Sequence, residues 1–254
     1  MLTNLTQQSH PRLWLLFQSV FGCHRDKRML AMRYLPGHKN ILEVGCSMGT
    51  VSAAFSRLKG IHYLGVDIDS QAIEFAKSRF SKFKHMEFSN ISLEDLVTTG
   101  RKFDYVLFAN ILHHVNDEDA IRLLQEAVKA VEKSGQMIIM EPDILGEREP
   151  LLVRMTYRLE RGQYRRSLDQ LLKIVREAGI TVKTATRENL SIDPLPGVVW
   201  GRFLLLTVSG SQAAWAIGAP GYSTAGIGES SGTRSEPMIA RRWLGRAGHQ
   251  NTRG

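Results

Sequence analysis

Cysteine is nearly absent from this chain: Cys23 and Cys46 are the only two in 254 residues. Two cysteines cannot build a disulfide framework, and neither has partners at metal-ligand spacing, so no metal is expected. A reducing compartment suits such a chain. Long apolar runs are missing as well. The stretch 13–17 is brief and is followed by Gln18 and Ser19, far short of the roughly 18 residues that span a bilayer. No basic segment leads into an apolar leader, so the expected location is cytoplasmic, with no membrane partner. Acidic residues are the scarcer charge, 25 against 33 Lys and Arg, for a net +8. That excess does not favour a nucleic-acid partner. Residues 209–254 contain no Lys, five Arg and two Glu, and they supply +3 of it. The remainder is spread along the chain and reads as a solvated basic surface.

What is present is an ordinary globular composition, 43% hydrophobic and 23% charged. The length suits one α/β domain with some decoration. Residues 11–35 carry Leu13, Leu16, Phe17, Val20 and Phe21 at helical spacing, break at Gly22, and resume with Met29, Leu30, Met32 and Leu35. Pro36-Gly37 ends that segment. Beyond it, short apolar runs at 41–44, 63–66, 85–89, 103–109 and 137–140 read as strands. Helical stripes at 51–58, 70–80, after Asn116-Asp117 and at 167–178 separate them. Two further strands, 181–186 and 199–206, have no helix between them and predict an antiparallel hairpin. The expected fold is a doubly wound, seven-stranded, mostly parallel α/β sheet with that hairpin at one edge. Residues 1–37 would form an N-terminal helical cap and 38–208 the main domain. Residues 209–254, rich in Gly, Ser, Ala and Arg, read as a disordered tail or a non-native extension.

In such sheets ligands bind beyond the carboxyl ends of the strands, near the switch point. The segment 41–50 places Glu43 on a strand and then Gly45-x-x-x-Gly49 before a helix. Gly45 permits a sharp turn, and Gly49 lets a ligand approach the helix start. Asp67 ends the next strand, where a carboxylate can accept both hydroxyls of a ribose. A glycine-rich turn alone is as often purely structural.

The order E-x-G-x-x-x-G, strand, Gly65-Val66-Asp67, then Phe103-Asp104-Tyr105-Val106 resembles the class I S-adenosylmethionine-dependent methyltransferase family, of the small-molecule type. The resemblance covers 38 to about 207. It implies a Rossmann-like fold, S-adenosylmethionine as cofactor, and methyl transfer to an O, N or C atom of a small-molecule acceptor. It further implies that the loop Gly45, Cys46, Ser47 and Gly49 holds the methionine part, with Glu43 supporting it. Asp67 would bind the ribose, Ile68 would pack on the adenine, and Asn90 would face the adenine amine. Asn110 and the His113-His114 pair match the end of the family's fourth strand. The flanks at 15–22 and 160–172 resemble a subgroup with a Phe-Gln helix before the domain and an Arg-Gly-x-Tyr segment after the fifth strand.

Three positions depart from the family pattern: Ser47 for a glycine, Asn90 for an acidic residue, and Gln136 for the second glycine after Gly135. His113 or His114 could act as general base on a hydroxyl acceptor, against the plainer reading of a histidine filling a strand-to-helix corner. Glu141, Asp143, Arg161, Tyr164, Arg165 and Phe17 are acceptor-side candidates, the basic cluster suiting an anionic group. Each has a plain structural alternative, as a loop carboxylate, a charged loop or a core aromatic. The resemblance also makes the missing Asp/Asn-Pro-Pro-aromatic tetrapeptide an argument against exocyclic amine methylation. Two alternatives stay open: a methyltransferase-like binding or scaffold protein without turnover, and an RNA or protein methyltransferase. A nicotinamide-dependent oxidoreductase fits poorly, because its G-x-G-x-x-G fingerprint is not met at Ser47 and Thr50.

Overall fold

Five strands rich in buried apolar residues run parallel: β1 (Asn40–Val44), β2 (His62–Val66), β3 (Met86–Ser89), β4 (Phe103–Ala109) and β5 (Val131–Pro142). In this computed structural model the described residues are 20–146, 162–195 and 197–210, with Leu16, Leu151, Val153, Arg154 and Tyr157. Two more strands, β6 (Val182–Ser191) and β7 (Val199–Ser209), complete a seven-stranded sheet in the order β3-β2-β1-β4-β5-β7-β6. β7 is antiparallel to both β5 and β6, so the expected edge hairpin is present.

Helices cover both faces. On one side lie α1 (His24–Arg33) and α2 (Ser70–Phe80), whose Leu30, Ala31, Ile73, Ala76 and Phe80 pack with Ile41, Tyr105, Leu107 and Ile138. On the other lie α3 (Leu93–Thr98), α4 (Asp117–Ala130) and α5 (Leu168–Glu177), packed through Leu93, Leu123, Leu124 and Ile174 on Leu42, Val106 and Ile139. Strands buried on both faces need unbroken apolar runs rather than alternation, which is what FDYVLFA at 103–109 supplies.

Caps fix the helix starts. Asn116 accepts the amide of Asp119, Asp69 accepts those of Gln71 and Ala72, and Ser167 with Gln170 forms a reciprocal capping box before α5. Each such cap contributes about 1 kcal/mol.

Three expectations are corrected. The stripe at 51–58 is not an α-helix but a 3-10 turn at Ser52–Ala54 followed by further turns. Its backbone bonds run i to i−3, from Ala54 to Val51 and from Phe55 to Ser52. That geometry stacks Ser52 and Phe55 inward, so the Ser52 hydroxyl can reach a buried carboxyl on β1. The helix at 93–98 was not expected; its signal was Ser92, whose hydroxyl caps the amide of Asp95. β5 begins at Val131 rather than Met137, with a register shift before its ladder on β4 resumes at Gln136. In the N-terminal segment α1 starts only after the break at Gly22, with Cys23 left-handed at its N-cap; residues 1–15 and 17–19 of the proposed cap lie outside the described residues, as does 211–254.

β1 is flanked by β2 and β4, so the chain first winds outward through β2 and β3 and then returns to β4 and β5. The crevice beyond the carboxyl ends of β1 and β4 is therefore the expected ligand position.

Candidate cofactor and acceptor site

The loop after β1 is shaped by two left-handed glycines. Gly45 has φ +73°, and a Cβ there would lie 2.1 Å from Ile111 Cδ1. Gly49 has φ +75°, and a Cβ there would lie 2.4 Å from Phe80 Cε2. Ser47 is also left-handed, at φ +49°, a conformation that costs a non-glycine residue about 1–2 kcal/mol. Its amide explains how it is held: Ser47 N donates to Asp67 Oδ2 at 2.8 Å. Asp67 Oδ1 accepts the amide of Asp69 at 2.9 Å. The carboxylate at the end of β2 thus clamps the glycine loop to the next strand. Burial pushes Asp67 up to about 6, against the pull of those amides.

Beneath the loop, Glu43 Oε2 lies 2.8 Å from the Ser52 hydroxyl and 2.6 Å from the Tyr63 hydroxyl, while the two hydroxyls are 2.7 Å apart. Burial pushes Glu43 up to about 7. The Cys46 side chain does not face the crevice. It is buried against Gly65, where an added Cβ would lie 2.8 Å from its sulfur, so only its backbone is available to a ligand. Two arginines, absent from the sequence-based candidates, hold the loop's carbonyls: Arg79 donates to Met48 and Gly49, and Arg28 to Thr50.

Ile68 is half-buried after β2 and packs against the α4-side core. Asn90, after β3, donates its amide to the Asp67 carbonyl at 2.8 Å, which leaves its side-chain oxygen as an acceptor. Asn110 ends β4 in the left-handed region at φ +60°. Its buried Oδ1 has no hydrogen-bond partner, an orphan acceptor of the kind a bound ligand's donor relieves.

At the end of β5, Glu141 is almost wholly buried. Its Oε1 accepts the amides of Ile111 and Leu112, each at 2.8 Å, and its Oε2 accepts the amide of His113 at 3.2 Å. Oε2 also lies 2.7 Å from His113 Nδ1. Burial acts to raise the Glu141 carboxyl, but the His113 charge and hydrogen bond and the amides hold it below its ordinary value. Glu141 is therefore a fixture of the β4 end rather than a solvated loop carboxylate.

His113 is buried and its Nε2 is a second orphan, whereas His114 is half-buried with its ring 4.2 Å from that of His113 and tilted by 38°. Gly162 closes over His113, since a Cβ there would lie 2.0 Å from Cδ2. Tyr164 donates its amide to the His113 carbonyl, and Arg165 donates to the Tyr157 carbonyl. Arg166, buried, ties Leu112, Val115 and Tyr164 carbonyls to the Asp117 carboxylate. The expected basic cluster is thus engaged in holding its own segment onto the β4 loop. Asp143 pairs with Arg187 at 3.1 Å. Phe17 and Arg161 lie outside the described residues. No described helix is long and apolar enough to cross a membrane.

Residues 41–135 match the family model for a methyltransferase domain. Two curated relatives illustrate the sequence likeness. A ubiquinone biosynthesis O-methyltransferase of Pelagibacter ubique is 34% identical over 103 residues, covering 40% of this chain and 42% of that protein. A ribosomal protein L11 methyltransferase of Syntrophotalea carbinolica is 34% identical over 118 residues, covering 46% of this chain and 36% of that protein. The matches thus span less than half the length of either relative. Among solved structures, mitomycin 7-O-methyltransferase MmcR superposes with TM-score 0.58 at 17% identity, over 74% of this chain and 54% of that one. An S-adenosylmethionine-dependent methyltransferase from Archaeoglobus fulgidus superposes with TM-score 0.56 at 15% identity, over 77% of this chain and 99% of that one. The structural likenesses establish the fold. Residues 41–135 are thus similar to a methyltransferase domain, and the fold is that of solved S-adenosylmethionine-dependent methyltransferases.

Proposed function

We propose that this chain transfers a methyl group from S-adenosylmethionine to a hydroxyl of a small-molecule acceptor, with His113 as general base. When bound, the cofactor supplies a methyl that is already activated, so the protein's part is positioning, exclusion of water and one proton transfer. Gly45, Ser47 and Gly49 would hold its methionine part over Glu43, Asp67 its ribose, and Ile68 and Asn90 its adenine. The orphaned Asn110 Oδ1 fits a ligand donor at this point.

The observation that carries the hydroxyl acceptor is the His113–Glu141 pair. An ionised Glu141 takes the hydrogen on Nδ1, which leaves Nε2 as the nitrogen with a lone pair. That nitrogen is buried and unpartnered, and the Gly162 backbone packs on the ring edge beside it. A hydroxyl needs such a base because it is a poor nucleophile until its proton leaves. Glu141 positions the ring and stabilises the imidazolium that forms.

Cofactor binding without turnover is the second reading. It is left open by the departures at Ser47 and Asn90 from the family pattern. Mass spectrometry of catechol and phenolic-acid mixtures incubated with the protein and deuteromethyl-labelled cofactor separates the two. Labelled ether products that vanish with His113→Ala support turnover through a base. Saturable cofactor binding with no labelled product from any hydroxyl probe supports the second reading.

A further inference from the structure

The amino ends of the strands carry a cavity remote from the crevice described above. β3 and β4 are separated in the sheet by β2 and β1, so the connection from α3 to β4 passes beneath both. It leaves a cavity of about 330 Å³, lined by its own Arg101 and Lys102, by His62 at the head of β2 and by Lys84 before β3. These residues are far apart in sequence, and the fold gathers them. The buried Leu64 and Phe103 give the cavity an apolar floor. The length of β2 separates His62 from Asp67, about 16 Å at ordinary strand rise. The cavity and the glycine loop therefore lie at opposite ends of the same strands.

The charge here is one-sided: Lys84, Arg101 and Lys102 line the cavity with one carboxylate, Glu87. Little of that charge is neutralised within the fold. Lys102 donates to the Lys129 carbonyl, an uncharged partner. Both terminal nitrogens of Arg101 lie 3.5 Å from a single Glu87 oxygen, too long for a strong pair. Lys84 and His62 are exposed, and neither is committed to another side chain among the described residues. The Arg101 guanidinium rests 5.6 Å from the centre of the Phe103 ring. That contact steadies the planar fork at the cavity wall, with donors left for two oxygens of one anion.

We infer that this cavity binds a small organic phosphate, at a site distinct from that of the cofactor and acceptor. Three cations and one carboxylate leave two positive charges, which matches a phosphate monoester near its dianion. A carboxylate ligand would offset only half of that. The volume falls at the lower end of the range for small-molecule pockets, and the apolar floor suits the carbon part of the ligand. A nucleic acid would need cations strung along a face, whereas these ring one cavity. The inference does not depend on the methyltransferase reading.

Calorimetry with phenyl phosphate, inorganic phosphate, phenol and oligouridylate tests it, with and without S-adenosylhomocysteine. Wild type is compared with Lys84→Gln, Arg101→Gln and Glu87→Gln. Lys173→Gln, at an exposed lysine of α5, controls for loss of charge elsewhere. Thermal melts check that each variant folds. The expected result is one-to-one binding of phenyl phosphate, at least tenfold tighter than phenol. Lys84→Gln and Arg101→Gln each weaken it by roughly tenfold, while Lys173→Gln leaves it unchanged. Glu87→Gln tightens it, a gain that damaged folding cannot mimic. Affinity for S-adenosylhomocysteine is the same in all four variants. Absence of saturable binding by either phosphate, equal binding of phenyl phosphate and phenol, or losses matched by Lys173→Gln overturns the inference. So does an oligouridylate that binds more tightly than phenyl phosphate through the same residues, which would assign the surface to nucleic acid. The methyltransferase reading fails separately, if folded wild type does not bind S-adenosylhomocysteine while phenyl phosphate still binds.

Discussion

His113 Nδ1 lies 2.7 Å from Glu141 Oε2, and the same carboxylate also gathers the amides of Ile111, Leu112 and His113. One side chain at the end of β5 thus both folds the loop after β4 and fixes the tautomer of its histidine. The two functions separate on mutation. His113→Ala should lower turnover of any hydroxyl probe by about 10²–10⁴-fold while leaving S-adenosylhomocysteine affinity within about twofold. Glu141→Gln leaves amides and imidazole competing for one acceptor, and should destabilise the fold by roughly 3 kcal/mol. Denaturant melts alongside rate measurements distinguish them. Unchanged turnover in His113→Ala contradicts the base role.

The Glu43, Ser52 and Tyr63 oxygens form three mutual contacts, yet two hydroxyls provide only two hydrogens. A protonated Glu43 supplies the third, in keeping with its rise from 4.5 to about 7 on burial. The sign follows: the unfolded chain ionises Glu43 first, so stability falls as pH climbs from 4.5 to about 7 and is flat above. The effect is on the order of 3 kcal/mol. Asp67, raised to about 6, acts in the same direction. His24, lowered to about 3, opposes both by losing stability as pH falls below 6.5. The difference between wild type and Glu43→Gln isolates the Glu43 part, and urea melts from pH 4.5 to 8 should show that gap widening upward.

Backbone geometry in the glycine loop makes two opposite forecasts. Gly45→Ala places a Cβ 2.1 Å from Ile111 Cδ1 at φ +73°, and should cost about 2–4 kcal/mol together with cofactor affinity. Ser47→Gly relieves the left-handed strain at φ +49° and should stabilise by up to about 1 kcal/mol. Thermal melts with and without S-adenosylhomocysteine read both.

Cys46 sits in the cofactor loop, but its thiol is buried, and burial with the charges of Asp67 and Glu43 pushes its pKa well up. Native protein at pH 8 should resist alkylation at Cys46 by iodoacetamide for hours and react fully in guanidinium, as mass spectrometry of the peptide would show. Rapid native labelling would mean that the loop opens.

The sheet was legible because buried parallel strands write themselves as apolar runs closed by Gly or Asp, as at Val44-Gly45 and Val66-Asp67. The edge hairpin followed from the lack of a helix between residues 186 and 199. The segment 51–58 misled because Val51, Ala54, Phe55 and Leu58 suit either helix type, and the choice is made by Ser52 reaching Glu43, a contact across the fold. Asp67 was readable as a strand-end carboxylate, but its clamp on Ser47 was not, because it depends on a left-handed backbone. Glu141 was readable only as an acceptor-side candidate or a loop carboxylate, since nothing local shows four hydrogen bonds waiting beneath it.

The central claim is cofactor binding at the ends of β1 and β2, and calorimetric titration of S-adenosylhomocysteine into wild type and Asp67→Ala tests it most directly. The account predicts saturable one-to-one binding to wild type and a loss of tenfold or more in the variant, with melts confirming that the variant is folded. No binding by folded wild type, or equal binding by both proteins, would contradict it.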